Sequence, residues 1–379
     1  MRMRCKLDSM PWRNVMTVLN LIRPELLNSA NYVPGGENTE NRLHANELPW
    51  SPINSANINL NIYPAVAFQS QLKQKLALRF DVGTDQLVIT RGSDECIDLI
   101  TRLFLTAGQD ALMQFPPTFP MYAFYARIQQ AELIQCALDP INNFTTSLDK
   151  INSQWKPNCK VILFCSPNNP TGNLIDLDLI KATCEQYKDR SVVVVDEAYI
   201  EFSKAQSATT LINQYENLIV LRTLSKAGGL AGLRLGCILA QTHIIQAVMK
   251  IIPPYTISNV VIDLANKALQ LNDWFPSAVE AIQASRDVLM SEFKKLPIFE
   301  KIYPSEANFI LVQTPYAKEL TTWFSNLGIA IRDFPINSIL HNHLRITVGS
   351  EQQNKLVLTA LSSFINNVSG LKNAENLIY

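Results

Sequence analysis

The sequence carries little charge, and neither sign dominates. Only 17% of its 379 residues are charged, against roughly 25% in an average globular chain, and 33 basic residues balance 33 acidic ones. A chain without net charge lacks the basic surface that nucleic acid or an anionic membrane attracts. It also lacks any apolar run near the ~18 residues of a membrane span. We therefore expect neither nucleic acid nor a membrane among its partners.

Cysteine and histidine are scarce and scattered. The seven cysteines form no C-x-x-C pair, and their odd number argues against a disulfide framework. We expect reduced, buried thiols and a cytoplasmic location. The four histidines include one close pair, His341 and His343, but no third ligand lies near it in sequence. We therefore expect no metal site.

Apolar residues, in contrast, are abundant, at 47% of the chain. From about residue 70, helical and strand patterns alternate, which indicates an α/β domain. Continuous apolar strands such as Val192–Val195 are typical of a sheet covered on both faces. The predicted strands are Gln86–Thr90, Ala111–Phe115, Glu132–Ala137, Lys160–Cys165, Ser191–Val195, Leu218–Leu221 and Cys237–Ala240.

The pattern changes after about residue 265. We interpret residues 266–379 as a smaller α+β domain, residues 56–265 as a large domain, and residues 1–55 as an N-terminal arm with a small-domain segment. The elements predicted in the smaller domain are a helix over Trp274–Phe293, strands over Asn308–Val312, Ile329–Asp333 and Leu344–Val348, and a last helix over Glu351–Asn367.

Polar residues follow three of the predicted strands. Asn169, Asp196 and Lys226 come where strands end, and open α/β sheets bind ligands at the carboxyl ends of their strands. Lys226 offers an amine for an aldehyde, and Asp196 can keep a pyridine nitrogen protonated. Tyr199 and Asn169 can bond a ring oxygen. Each residue taken singly has a plainer interpretation, as a surface lysine, a capping aspartate or a turn.

Donors for a phosphate lie on both sides of these residues. Gly92-Ser93-Asp94-Glu95 opens a predicted helix with Ser93 as its N-cap, and helix N-termini bind anions. Thr223, Ser225 and Arg234 add hydroxyl and guanidinium donors. Phe119 can stack on a ring, although a core position is equally compatible with its sequence context. The combined set is what pyridoxal phosphate (PLP) requires.

Rival cofactor and nucleophile motifs are missing. Gly228-Gly229-x-x-Gly232 lacks the G-x-G-x-x-G fingerprint of dinucleotide-binding proteins. The sequence contains neither a P-loop nor the G-x-S-x-G of a nucleophile elbow. PLP is therefore the cofactor that these residues favour.

The motifs, in their order, resemble those of fold-type I PLP-dependent aminotransferases, and more closely those of the histidinol-phosphate aminotransferases. The resemblance covers Asn31 to about Asn366. It depends on Tyr32-x-Pro34-Gly35, Asn46-Glu47-x-Pro49, Tyr63-Pro64, Gly92–Glu95, Pro116-Pro117-Thr118, Ser166–Gly172, Asp196–Phe202, Thr223–Lys226, Gly232–Arg234, Arg332-Asp333 and Leu344–Gly349.

This resemblance implies a large domain with a mostly parallel seven-stranded sheet and a smaller α+β domain. It implies a homodimer in which Tyr63 reaches the cofactor phosphate of the neighbouring subunit. Arg345 would clamp the carboxylate of glutamate. Tyr32, Arg332 and Arg345 would bind the phosphate of the other substrate, and Asn46 belongs to the same substrate-binding set.

The implied reaction is transamination between L-histidinol phosphate and 2-oxoglutarate in histidine biosynthesis, with Lys226 as the catalytic base. Two departures from the family pattern leave alternatives open: Phe119 stands where tyrosine is frequent, and the segment Phe334–His343 differs from better-known members. The alternatives on the same fold are an aromatic or arogenate aminotransferase and a threonine-phosphate decarboxylase. A non-enzymatic sensor would carry a DNA-binding domain before the fold, whereas here the resemblance begins near residue 31.

Overall fold

A seven-stranded sheet forms the centre of the molecule. The computed structural model describes residues 41–43, 46, 66–253 and 255–375. In chain order its strands are β1 (Asn41–Arg42), β2 (Leu87–Thr90), β3 (Ala111–Gln114), β4 (Glu132–Gln135), β5 (Cys159–Cys165), β6 (Val192–Asp196), β7 (Leu218–Thr223), β8 (Gly236–Ala240), β9 (Lys301–Ile302), β10 (Phe309–Gln313), β11 (Ile329–Ala330) and β12 (His343–Thr347).

The helices lie mostly between these strands. They are α1 (Val66–Phe80), α2 (Gly92–Phe104), α3 (Met121–Ile128), α4 (Leu148–Gln154), α5 (Leu177–Gln186), α6 (Thr242–Met249), α7 (Asn259–Ala268), α8 (Trp274–Phe293), α9 (Ala317–Asn326) and α10 (Glu351–Glu375). None of the helices within the described ranges is long and apolar enough to cross a membrane.

The central sheet has the strand order β2-β8-β7-β6-β5-β3-β4. Only β8 runs against its neighbours β2 and β7, whereas the other pairs are parallel. The prediction of a mostly parallel seven-stranded sheet is therefore confirmed. Its strands begin and end within two residues of their predicted bounds.

Both faces of this sheet are buried, which explains its continuous apolar strands. Side chains alternate along β6, so that Val193 and Val195 enter one core and Val194 enters the other. Helices α1, α4, α5 and α7 cover the first face, and α2, α3 and α6 cover the second. We call these the Glu197 face and the Asp196 face, because those two residues continue the same alternation at the end of β6.

A second core lies in the C-terminal part of the chain. Strands β12, β10 and β9 form an antiparallel sheet, against which α8, α9 and α10 pack. Strand β1 pairs in parallel with β11, so a segment from residues 1–55 joins this region. The domain boundaries after residues 55 and 265 stay predictions.

The start of α2 differs from the prediction. The N-cap is Arg91 rather than Ser93. The helix begins at Gly92, whose φ of 78° lies in the left-handed region that favours glycine. The carboxylate of Glu95 accepts a hydrogen bond from the backbone N–H of Arg91 at 2.6 Å. The Glu95 side chain thus reaches back one turn to the N-cap residue, a contact different from the serine cap that we predicted.

Candidate active site

A cavity opens at the carboxyl ends of the parallel strands and draws its lining from five segments of the chain. All the predicted cofactor-binding residues that the structure describes contribute to it, except Glu95. The lining residues are Ser93, Asp94, Phe119, Cys165, Asn169, Asp196, Ala198, Tyr199, Thr223, Ser225, Lys226 and Arg234. Residues as much as 141 positions apart in the sequence, Ser93 and Arg234, therefore meet at one place, as the strand ends predicted.

Asp196 is the last residue of β6 and is 2% exposed. One carboxylate oxygen accepts a hydrogen bond from the Tyr122 hydroxyl at 2.8 Å, and the other accepts one from the backbone N–H of Ala198 at 3.1 Å. Burial raises the pKa of Asp196 to about 6, and these two hydrogen bonds oppose the rise. The group is thus a buried carboxylate that is still ionised at neutral pH.

Lys226 and Tyr199 lie together on the cavity wall. The Nζ atom of Lys226 is 5.6 Å from the centre of the Tyr199 ring. The Tyr199 hydroxyl accepts hydrogen bonds from the amides of Asn46 at 3.2 Å and Asn169 at 3.4 Å. Burial raises the pKa of Tyr199, so the phenol stays protonated at neutral pH and can still donate to a ligand oxygen.

The N-terminus of α2 and Arg234 form one end of the cavity. A Cβ on Gly92 would lie 2.7 Å from a guanidinium nitrogen of Arg234, so the glycine permits this close approach, and its φ of 78° also favours glycine. A Cβ on Gly236 would lie 2.8 Å from the backbone nitrogen of Ser93. Arg234 also pairs with Asp94 at 3.0 Å, and both are solvent-exposed to a similar degree. The result is a close-fitting group of donors around the first turn of a helix.

The hydroxyls of Thr223 and Ser225 also line the cavity, whereas the side chain of Glu95, which we predicted to bind the cofactor, does not. The Thr223 hydroxyl accepts from the Ser225 backbone N–H at 3.1 Å and lies 3.0 Å from the Ser225 hydroxyl. The Glu95 side chain is instead turned to Arg91, with N···O distances of 2.6 and 2.9 Å. The Glu95 side chain therefore does not line this cavity.

The predicted substrate arginines are neighbours across an antiparallel bridge. The backbone N–H of Arg332 donates to Arg345 at 3.1 Å, and that of Arg345 donates to Arg332 at 2.8 Å. Directly opposed residues of such a pair extend their side chains from the same face. Arg345 is buried and its guanidinium bonds the side-chain oxygen of Asn169, which links it to the cavity.

Asn46 ties the N-terminal segment to this group. It is 1% exposed, and its side chain accepts from the Thr347 hydroxyl at 2.8 Å while donating to Tyr199. The remaining two predicted ligand-binding residues, Tyr32 and Tyr63, lie outside the described residues.

The family model for class I and II aminotransferases matches residues 27–361. The chain belongs to this family. It is 61% identical over 364 residues to histidinol-phosphate aminotransferase 1 from Legionella pneumophila (strain Lens), covering 96% of this chain and 100% of the relative. A histidinol-phosphate aminotransferase from Pseudoalteromonas atlantica (strain T6c) is 38% identical over 327 residues, 85% of this chain and 86% of the relative.

Solved structures agree with the fold of this aminotransferase. The histidinol-phosphate aminotransferase of Sinorhizobium meliloti, solved in complex with pyridoxal-5'-phosphate, superposes with a TM-score of 0.82 at 23% identity. The match covers 93% of this chain and all of that chain. The resemblance read from the motifs is therefore confirmed.

Two features of the aminotransferase site escaped the sequence interpretation. One is Tyr122, which comes three residues after Phe119 and touches its ring edge-on at 5.6 Å. The other is a buried ion network behind the site, where Arg222 pairs with Glu197 at 3.4 Å and Glu201 at 2.7 Å. The spacing of Phe119 and Tyr122 could have indicated the first, but the second depends on contacts across strands.

A larger cavity of about 700 Å³ lies on the Glu197 face of the aminotransferase. Its lining includes Leu177 and Ile180 of α5 together with Ile200 and Glu197. It contains no lysine, arginine or aromatic residue among its described lining. We assign the chemistry to the smaller cavity, because that one brings together an amine, a buried carboxylate and a helix N-terminus.

Proposed function

We propose that this aminotransferase uses PLP to exchange an amino group between L-histidinol phosphate and 2-oxoglutarate. The products are imidazole-acetol phosphate and L-glutamate, and the reaction is a step of histidine biosynthesis. One observation carries the proposal: Lys226, Asp196 and the N-terminus of α2 line a single cavity. The names of relatives at 61% and 38% identity support the choice of substrate.

The donors of the cavity fit PLP at each of its polar groups. The close approach of Gly92, Arg234 and Gly236 leaves N–H and guanidinium donors for a phosphate. Asp196 would hold the proton of the pyridine nitrogen, and Tyr199 with Asn169 would bond the ring oxygen. Phe119 supplies an aromatic face. Bound there, PLP supplies an electron-withdrawing ring that stabilises negative charge at the substrate α-carbon.

Lys226 is the residue that we expect to move protons. Its amine would hold the cofactor aldehyde until a substrate amine replaces it. The freed Nζ atom would then accept the proton from the substrate α-carbon and return it on the cofactor side. The Nζ atom of Lys226 lies 5.6 Å from the centre of the Tyr199 ring, so the amine and the phenol would act on the same region of the cavity.

The arginine pair accounts for anionic substrates. Like charges on directly opposed residues of an antiparallel pair destabilise each other, so Arg332 and Arg345 favour a bound anion. Glutamate offers a carboxylate that suits the planar fork of Arg345, and histidinol phosphate offers a phosphate. The two substrates of the proposed reaction can therefore use one anion site in turn.

The finer parts of the proposal concern assembly and place. We propose a homodimer in which Tyr63 of one copy contributes to the phosphate site of the other, while Tyr32 contributes to the substrate site. We also propose a cytoplasmic location. The six cysteines within the described ranges are free and buried, which accords with a reducing compartment.

The absorption spectrum of the PLP-loaded protein tests the substrate. L-Histidinol phosphate, phenylalanine and threonine phosphate are added in parallel, with protein lacking PLP as the control. We expect histidinol phosphate to turn the yellow cofactor form colourless far more readily than phenylalanine does. Faster conversion by phenylalanine would identify an aromatic aminotransferase. Release of carbon dioxide from threonine phosphate, with the yellow form unchanged, would identify a decarboxylase.

A further inference from the structure

Tyr122 approaches Asp196 from a different layer of the fold. It is the second residue of α3, on the Asp196 face, and it is fully buried. Its hydroxyl donates to one Asp196 oxygen at 2.8 Å, while the backbone N–H of Ala198 occupies the other oxygen at 3.1 Å. The carboxylate is thus held from two directions.

The Tyr122 hydroxyl can act only as a donor to this carboxylate. Burial and the neighbouring Asp196 raise the pKa of Tyr122 well above its ordinary value, so the phenol keeps its proton. A carboxylate has about four lone-pair sites, and two donors leave others free for a third. Asp196 also lines the cavity, so a free lone pair can meet a ligand there.

We propose that Tyr122 is a positioning residue that holds the Asp196 carboxylate against the ring nitrogen of the cofactor. The proposal depends on the proposed function, because it acts through the contact between Asp196 and PLP. Phe119 and Tyr122 lie on one short segment and touch each other at 5.6 Å. A single stretch of chain therefore supplies both the aromatic face for the ring and the donor that orients the ring's partner.

The charge on Asp196 depends on several neighbours, of which Tyr122 is the strongest hydrogen-bond donor. The titratable groups around Asp196 in the described part of the chain are Asp94, Cys96, Tyr122, Cys165, Tyr199 and Lys226. The hydrogen bond from Tyr122 lowers the pKa of Asp196, so its removal raises that pKa. Asp196 must be ionised to hold a pyridinium proton, so PLP binding should weaken as pH falls through this pKa.

The test compares two cofactors in Tyr122→Phe. One is PLP, and the other is an analogue in which carbon replaces the ring nitrogen. We expect Tyr122→Phe to weaken PLP binding about tenfold more than analogue binding, and to move the acid-side loss of PLP affinity up by about one pH unit. Tyr187→Phe is the matched control, since Tyr187 is 1% exposed and its hydroxyl donates to Asn152 at 2.6 Å, away from the cavity.

Two more variants test whether Tyr122 acts through Asp196. Asp196→Asn removes the group through which Tyr122 acts, so adding Tyr122→Phe to it should cause little further loss of PLP affinity. If Tyr122→Phe does not fold, 3-fluorotyrosine at position 122 keeps the hydroxyl as a stronger donor and should move the acid-side loss to lower pH.

The proposal fails if Tyr122→Phe weakens both cofactors equally, or if its PLP binding matches that of Tyr187→Phe. It also fails if the losses from Tyr122→Phe and Asp196→Asn simply add. A different result would contradict the proposed function itself. In that case wild-type protein would bind PLP no better than the carbon analogue, and Asp196→Asn would bind PLP as wild type does.

Discussion

Asp196 and Glu197 are adjacent carboxylates with opposite surroundings. Asp196 lies on one face of the central sheet, bonded by a phenol and one backbone N–H, and it borders the cavity. Glu197 lies on the other face, where one oxygen accepts from the Ser207 hydroxyl at 2.5 Å and Arg222 at 3.4 Å, and the other from the Ala208 N–H at 2.7 Å. Two adjacent positions at the end of β6 thus hold a carboxylate that borders the proposed cofactor cavity and a carboxylate that pairs with a guanidinium.

The difference shows how two adjacent residues at the end of one strand can have separate roles, one in ligand binding and the other in stability. Burial raises the pKa of both carboxylates, but only Glu197 has a guanidinium in direct contact to offset that cost. Asp196 has neutral donors instead, which leaves its charge available to a cationic ligand. Residues on the Glu197 face should therefore govern stability, and residues on the Asp196 face should govern cofactor binding and turnover.

The largest expected effect is on turnover, from a change at the cofactor cavity. Lys226→Ala removes the proposed proton carrier, and we expect turnover to fall by at least about 10³-fold. Lys188→Ala, at an exposed lysine, is the control. A steady-state assay with histidinol phosphate and 2-oxoglutarate decides the matter, and near-normal turnover in Lys226→Ala would exclude Lys226 from the chemistry.

The Arg222→Met variant tests the contribution of the Glu197 face to stability. This change leaves Glu197 and Glu201 without their shared cation, and breaking a buried pair costs about 3–5 kcal/mol of unfolding free energy. Urea unfolding measures the loss. The control is Arg102→Met, whose exposed pair with Asp98 should contribute less than about 1 kcal/mol. Equal effects of the two variants would contradict the role of the network.

The pH dependence of stability in the cofactor-free protein tests the buried charge of Asp196. The pKa of Asp196 is about 6 when folded and has a usual value of 3.8, so the folded state binds the proton more tightly. Its contribution to stability is present below about pH 4 and is lost as pH rises to about 6, roughly 3 kcal/mol in all.

Asp196→Asn should abolish this contribution and make the cofactor-free protein more stable than wild type at neutral pH. Unfolding free energies of both proteins, measured from pH 4 to pH 8, give the difference. A constant difference across that range would contradict a raised pKa for Asp196 in the folded protein.

The smallest effect concerns the substrate anion. Arg345→Lys keeps the charge but loses the planar fork, so we expect kcat/KM for glutamate to fall about tenfold, mainly through KM. Arg102→Lys, at an exposed position, serves as the control. A change confined to kcat would place Arg345 in the chemistry rather than in binding.

Much of this arrangement was accessible from the sequence because it is local. Continuous apolar strands such as Val192–Val195 predicted the doubly covered sheet, and polar residues after strand ends predicted the cavity that Asn169, Asp196 and Lys226 share. Their convergence follows from parallel strands, which end at the same edge of the sheet.

The errors and omissions depend on contacts that the local pattern does not contain. Glu95 looked like a ligand residue, yet its carboxylate reaches back to Arg91. The sequence analysis did not single out Tyr122 or Arg222, whose partners Asp196 and Glu197 are 74 and 25 positions away. Long-range hydrogen bonds of this kind follow from how layers pack, so they became visible only in the folded chain.

The most direct test of the division between the two faces is the PLP dissociation constant of Asp196→Asn and Glu197→Gln, measured beside their unfolding free energies. We expect Asp196→Asn to lose PLP affinity while remaining folded and stable. We expect Glu197→Gln to lose stability while binding PLP as wild type does at temperatures where it is folded. Loss of PLP affinity in Glu197→Gln, with Asp196→Asn binding normally, would contradict the account.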